Sequence, residues 1–189
     1  MKNISDCTKC GLCDNQKPLL DSLDRADVMW VGLSAKKVES LFDEIPLASN
    51  TNTGKIVADI EKGFKDLLFY KTNIVKCLPL DDKKKLRYPT IDEMGACQDN
   101  FNKELEVVNP SIVFLLGKKV SDFVFKQHKK LDRTIKKVDD SWLYNNITFI
   151  SIYHPSYIYV YKRKFIGDYI ESIQSIIERE LPYILREAS

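Results

Sequence analysis

Four short runs of apolar and β-branched residues constrain the fold of this chain most. They are Asp27–Gly32 (DVMWVG), Leu68–Val75 (LFYKTNIV), Ser111–Leu116 (SIVFLL) and Ile147–Ile152 (ITFISI). Each has strand length and no strict polar alternation, the pattern of a strand buried on both faces. Helical periodicity fills the gaps. Thr53–Leu67 carries Ile56, Val57, Ile60, Phe64 and Leu67 on one face. Ile91–Val108 follows Thr90, with Glu93 placed to complete a capping box, and stops before Asn109-Pro110. Lys118–Gln127 and Lys164–Leu181 are further helices, the last bounded by Pro182. Strand–helix alternation predicts an α/β fold: a three-layer α/β/α sandwich around a central, mostly parallel four-stranded sheet. With 189 residues, 44% of them hydrophobic, residues 1–189 form one domain with ample core. Ligands of such sheets bind beyond the carboxyl ends of the strands. Chemistry is therefore sought at Gly32-Leu33-Ser34, Asn73 to Cys77, Leu116-Gly117-Lys118 and Tyr153-His154-Pro155-Ser156.

Cysteines form a second pattern. Cys7 and Cys10 make a tight C-x-x-C, while Cys77 and Cys97 form a loose pair far along the chain. Four thiolates gathered from distant segments suit tetrahedral zinc or a [4Fe–4S] cube. Cys13 extends the first pair to C-x-x-C-x-x-C, but the next ferredoxin-type position, 17, is a lysine, so Cys13 reads as a bystander. The apolar runs are too short to span a bilayer, and the first residues lack a signal-peptide core. A reducing, cytoplasmic location is expected, where clustered cysteines favour metal over disulfides; no membrane partner is expected, and a monomer is.

The chain has two histidines. His128, in Gln127-His128-Lys129-Lys130, reads as a solvated helix end. His154 ends a buried strand, before a proline that forces a turn. Held there, an imidazole can donate to a developing oxyanion or act as acid or base. Asn73 ends another buried strand with an amide that both donates and accepts, as reading a nucleobase edge requires. Basic residues cluster at Lys83-Lys84-Lys85-Leu86-Arg87 and at Lys162-Arg163-Lys164, the latter after Tyr157-Ile158-Tyr159-Val160-Tyr161. Cations interleaved with aromatics suit phosphate contact and insertion into a base stack. The net charge of +2 does not by itself require a polyanion.

In order, these motifs resemble the iron–sulfur (family 4) class of the uracil-DNA glycosylase superfamily. The similarity runs through Cys7/Cys10, Val31-Gly32, Pro46-Leu47, Thr53-Gly54-Lys55-Ile56-Val57 and Thr72-Asn73-Ile74-Val75-Lys76-Cys77. It continues through Pro89-Thr90-Ile91-Asp92-Glu93 before Cys97, Asn109-Pro110 to Leu116-Gly117, and His154-Pro155-Ser156. The resemblance implies a structural [4Fe–4S] cluster, rather than zinc, on Cys7, Cys10, Cys77 and Cys97. It implies a DNA partner with an altered base, which is flipped into a pocket and hydrolysed from its sugar. Asn73 would bond the base edge, and His154 would stabilise charge on the departing pyrimidine. Ser156 and the residues after it would meet the duplex, with Tyr157, Ile158 or Tyr159 filling the vacated space. Lys83, Lys84, Lys85, Arg87, Lys162 and Arg163 would contact DNA.

The departures fall on one side of the pocket. Where the family carries G-E-A-P-G, this chain reads Gly32-Leu33-Ser34-Ala35-Lys36, without the acid. Leu47 replaces the phenylalanine that stacks on uracil, and Ala48-Ser49-Asn50-Thr51-Asn52 is small and polar. Leu33, Ser34, Leu47 and Asn50, with Asn73, thus line a substrate pocket suited to a bulkier modified pyrimidine, such as those of some phage genomes, rather than, or as well as, uracil. That makes the chain a repair or antiviral glycosylase; the alternative is an inactive iron–sulfur DNA-binding module. Ser34, Asp43, Glu44 and Asn50 are the candidates for positioning water.

Overall fold

Alternation along the strands sends side chains to opposite faces of one sheet, and two apolar cores follow. The computed structural model describes residues 2–41 and 44–181, with only the backbone of residues 2 and 3. The elements are α1 (Lys2–Ser5), β1 (Val28–Ser34), α2 (Asn52–Glu61), β2 (Phe69–Val75), α3 (Ile91–Val108), β3 (Ile112–Leu116), α4 (Lys118–Leu131), β4 (Ser141–Tyr144), β5 (Ile147–Ile152), α5 (Pro155–Tyr161) and α6 (Ile166–Glu180). Strand order is β2-β1-β3-β5-β4. The pairs β1·β2, β1·β3 and β3·β5 are parallel, and β4 pairs antiparallel with β5 at the edge.

On one face Met29, Val31, Tyr70, Ile74, Val113, Leu115 and Phe149 pack on α3 and α4 through Phe101, Leu105, Phe123 and Val124. On the other, Val28, Trp30, Ile112, Phe114 and Leu116 meet Ile56, Val57 and Ile60 of α2, Ile158 of α5 and Ile173 and Ile177 of α6. Each large side chain so buried contributes roughly 1.5–3 kcal/mol. Trp30 stacks on Phe114 in the second core, whereas Trp142 stacks on Phe149 in the first. This is the expected α/β/α sandwich, and the four expected strands are all present.

The fifth strand was not anticipated. β4 and β5 form a hairpin in which Tyr144 pairs with Ile147, leaving a two-residue turn, Asn145-Asn146. Both asparagines have positive φ, 50° and 61°, as a type I′ turn demands. α2 stops at Glu61, six residues short of the expected end, and Phe64 and Leu67 reach the core from the following turn. Pro182, the expected stop of the last helix, lies outside the described residues. α3 begins as expected: Thr90 Oγ1 accepts the Glu93 N–H at 3.1 Å, and the Glu93 carboxylate accepts the Thr90 N–H at 2.7 Å.

His128 corrects the reading of a solvated helix end, for it is buried beneath the hairpin. Its ring stacks on Tyr144 at 4.1 Å, and its Nδ1 accepts the Trp142 Nε1–H at 3.1 Å. That bond leaves the proton on Nε2, which has no hydrogen-bond partner among the described residues. Burial pushes its pKa from 6.5 down to about 4, so the ring is neutral. The lysines that follow it in sequence disguised an inward-facing helix position. No helix among the described residues is long and apolar enough to cross a membrane.

Candidate active site

The parallel strands end together, and a cleft of about 880 Å³ opens beyond them. β1 contributes Gly32, Leu33 and Ser34; β2 contributes Asn73; Leu116-Gly117 follows from β3; and His154 comes from the exit of β5. Leu47, Ser156 and Tyr157 line the same cleft. Residues far apart in sequence therefore meet because their strands are neighbours.

Asn73 lies opposite Gly32 in the β1·β2 register. A Cβ on Gly32 would collide with Asn73 Oδ1 and would touch a Leu47 methyl at 3.3 Å. Only glycine leaves room for the amide, which makes no hydrogen bond with the described residues although Asn73 is 4% exposed. Behind it sits a fully buried ion pair, Lys76 with Glu104. Lys76 Nζ also donates to the Asn73 carbonyl and, at 2.7 Å, to Thr72 Oγ1. Glu104 accepts from Tyr70 Oη at 3.0 Å and from Thr72 Oγ1 at 2.9 Å. Both buried charges are thus paired and hydrogen-bonded, which is the condition for tolerating them. Burial and the adjacent Glu104 carboxylate hold the Tyr70 phenol protonated. The network fixes the backbone from which the Asn73 side chain projects.

His154 is the N-cap of α5, whose N1 residue is Pro155. Its Nδ1 accepts the Ser156 N–H at 3.2 Å and lies 2.8 Å from Ser156 Oγ. An Nδ1 that accepts carries no proton, so the neutral ring presents Nε2–H as a donor. Burial lowers the imidazole pKa, favouring that neutral form. Gly117, at φ 90°, leaves 3.3 Å between a notional Cβ and His154 Cβ; a side chain there would press on the imidazole.

The opposite wall is the rebuilt one. Leu47 has φ 54°, an unusual conformation for leucine, and the backbone there is held by its neighbours. Thr51 caps α2 by accepting the Gly54 N–H at 2.9 Å and donates to the Ala48 carbonyl at 2.9 Å. Ser34 faces the cleft. Asn50 does not line it: the residue is exposed, and its Oδ1 accepts from Lys36 Nζ at 2.8 Å. Glu44 accepts the Glu39 N–H at 3.0 Å and lies 3.7 Å from Lys36 Nζ. Asp43 lies outside the described residues.

The expected DNA contacts separate into distinct positions. Lys83, Lys84 and Lys85 are exposed in a turn closed by Asp81 and lie off the cleft. Arg87 lines the cleft, yet its guanidinium donates to Glu93 at 2.8 and 2.6 Å and to the carbonyls of Leu80 and Tyr88. It pins the loop to the start of α3. The segment after His154 is the helix α5, not a loop, so its residues alternate in exposure. Ile158, read from sequence as a wedge, is 6% exposed and belongs to the second core, and Tyr159 packs against it under Arg163. Tyr157 faces outward. Lys162 and Arg163 are exposed. Sequence reasoning missed Tyr88 and Tyr161 on the cleft rim; the helical spacing of Tyr157 and Tyr161 was the available signal.

The cysteines converge on the first core. Cys13, Cys77 and Cys97 are buried there, Cys10 packs against them, and all five are free thiols. Burial pushes the Cys77 thiol up to about 12, and the neighbouring Cys97, Cys10, Cys13 and Cys7 add to it. Cys97 is also raised by burial, partly offset by a hydrogen bond from the Lys76 backbone N–H. As the side chains stand, no group of three metal-ligating residues among those described is arranged around one point. The donor set nonetheless fits a thiolate-bound metal: it is all sulfur, Cys77 and Cys97 are buried, and Cys97 is supplied with a backbone N–H. A metal in place of the protons stabilises buried thiols such as Cys77 and Cys97 as thiolates.

Known proteins give the same picture. The Uracil DNA glycosylase superfamily model matches residues 16–176. A type-4 uracil-DNA glycosylase of Archaeoglobus fulgidus is 24% identical, the match covering 94% of this chain and 90% of the relative. One from Thermotoga maritima is 26% identical over 95% and 93% of the respective chains. The crystal structure of wild-type SMUG2 from Pedobacter heparinus shares the fold, with a TM-score of 0.60 at 14% identity over 82% of this chain and 76% of that one. With sheet, cleft and sequence match in accord, this chain belongs to the uracil-DNA glycosylase superfamily.

Proposed function

We propose that this protein is a monofunctional DNA glycosylase that hydrolyses the N-glycosidic bond of an altered pyrimidine flipped into the cleft. One observation carries the reading: an uncommitted Asn73 amide from β2 and a neutral His154 donor from the exit of β5 share one cleft across the ends of β1 and β3. In the reaction the bond from sugar to base breaks, and its electron pair leaves with the base. Nε2–H of His154 is a preorganised donor for the negative charge on the departing pyrimidine. Asn73, with one donor and one acceptor face, selects the base edge. Water adds to the oxocarbenium-like sugar, giving free base and an abasic site. Ser34 is the candidate on this chain for holding that water, since it lines the cleft next to Leu33, which stands where the family has an acid.

The base we infer is larger than uracil. Leucine at position 47 supplies less bulk than phenylalanine and no π-face, which leaves room on that wall of the cleft. Ser34 and Thr53 offer hydroxyls to polar substituents there. Modified pyrimidines of the kind found in phage genomes meet that description, which gives the enzyme a role in repair or antiviral defence. Cys7, Cys10, Cys77 and Cys97 would hold a [4Fe–4S] cluster that acts as a structural staple.

The test is incubation with single- and double-stranded DNA carrying a panel of bases, including uracil and hydroxymethylated and glycosylated pyrimidines, with abasic sites as readout. His154→Ala and Asn73→Ala are each expected to slow release by about 10²–10³-fold. Release of no base, together with salt-sensitive DNA binding, would make the chain a non-catalytic DNA-binding module.

A further inference from the structure

Three tyrosines form a ladder beside the cleft: Tyr157 and Tyr161 line it, and Tyr153 lines an adjoining cavity that shares His154 and Tyr157. Tyr153 and Tyr157 stack with ring centroids 6.0 Å apart at 25°, and Tyr157 meets Tyr161 at 5.3 Å and 39°. They are 71%, 41% and 72% exposed. Water therefore reaches a continuous aromatic surface running from beside His154 along the outer face of α5, with Val160 exposed next to it. No core contact explains the ladder, because the inward side of α5 is filled by Ile158.

Along the sequence the charge around it is one-sided, and the two carboxylates of the adjoining cavity, Asp122 and Asp140, are each paired with a lysine, Lys118 and Lys137. From Tyr153 to Gly167 the chain has no Asp or Glu, although it has 27 acidic residues in all. Lys162, Arg163 and Lys164 are exposed and form no ion pair among the described residues. Across the cleft Lys119 lies 3.5 Å over the Tyr88 ring, a second exposed aromatic with a cation on it. Aromatic faces in sequence, flanked by uncompensated cations, match a polyanion whose bases have free faces. An intact duplex keeps its base faces against one another, so it offers the ladder only an end or a gap.

We infer that Tyr153, Tyr157 and Tyr161 form a base-stacking platform that binds single-stranded DNA beside the target nucleotide, with Lys162, Arg163 and Lys164 on its phosphates. This rests on the glycosylase reading for the position of the target, but binding can be read without catalysis. Single-stranded or locally melted DNA is then the preferred substrate form.

The experiment measures fluorescence anisotropy of a labelled oligothymidylate, which holds no altered base, against the same label on a blunt duplex. The wild-type protein is expected to bind the single strand more tightly. Tyr153→Ala and Tyr161→Ala should each weaken it by roughly five- to a hundredfold, and Tyr→Phe at either position should restore it. The side chains are exposed, and the hydrogen bond from Tyr169 Oη ends on the Tyr153 carbonyl, which substitution retains. Alanine variants that bind within twofold of wild type, or a wild type that prefers duplex, would overturn the platform. Excision is scored separately: His154-dependent base release with unaffected tyrosine variants removes the platform and keeps the glycosylase. Tyrosine-dependent binding without any base release does the reverse.

Discussion

At the scale of single residues, the site depends on what is missing as much as on what is present. Gly32 has no side chain, and Asn73 Oδ1 occupies the space where one would be. Gly32→Ala is expected to push the amide aside and reduce base release by on the order of 10²-fold, the cost of about 1 Å of misplacement. Thermal melting should change far less than activity. The place of Asn73 and His154 at the cleft was legible in the sequence because each sits toward the end of a buried run, while their roles rest on the family resemblance. Gly32 was legible only as a strand end, since nothing in the sequence says which residue of β2 lies opposite it. Arg87 misled for a related reason: a cation beside three lysines looks like a phosphate contact until Glu93 is seen to hold it.

Elements carry the next layer of argument, and β2 with α3 is the clearest pair. Lys76 at the strand exit and Glu104 on the helix form a buried ion pair, so removing one leaves the other charge without a partner. Glu104→Ala is expected to cost about 3–5 kcal/mol in urea unfolding. The β4–β5 hairpin rests on α4 through His128, whose folded pKa, about 4, lies below its ordinary 6.5. The unfolded chain binds the extra proton between those values, so stability rises with pH across that window. His128 thus contributes fully above pH 6.5, and about 3 kcal/mol is lost as pH falls to about 4. With His128→Leu, stability measured by urea unfolding should lose that slope. β4 escaped the sequence reading because its signal, two asparagines between short apolar runs, is shorter than any periodicity. α5 is hidden in the sequence because a proline after a strand signals a turn, whereas at N1 it starts a helix.

For the molecule as a whole, the N-terminal segment is tied to the middle of the chain through the cysteines and through bonds such as Leu19 N–H to the Lys76 carbonyl, Asn15 to the Leu78 carbonyl and the Lys9–Asp99 ion pair. Leu12 and Cys13 enter the core that also holds Cys77 and Cys97. With the cluster in place, Cys97→Ser is expected to bleach visible absorbance and to lower the melting temperature by several degrees, roughly 2–4 °C per kcal/mol lost. Unchanged melting would deny the staple. Architecture was largely legible at this scale, because four double-buried runs with helices between them admit few topologies. Side-chain traffic across the cleft was not, since Tyr88, Lys119 and Tyr161 share it, and Lys119 meets the Tyr88 ring, only after the sheet has brought their elements together.

The two tryptophans have a practical consequence. Trp30 reports from one side of the sheet and Trp142 from the other, each shielded from solvent. Their emission is a pair of independent gauges, one per layer. Replacing either with phenylalanine turns the remaining indole into a single-layer probe, so a denaturation curve followed through each variant distinguishes concerted melting from stepwise peeling. Since both indoles are screened from the rim, a ligand arriving at the tyrosine ladder should leave this intrinsic signal nearly silent.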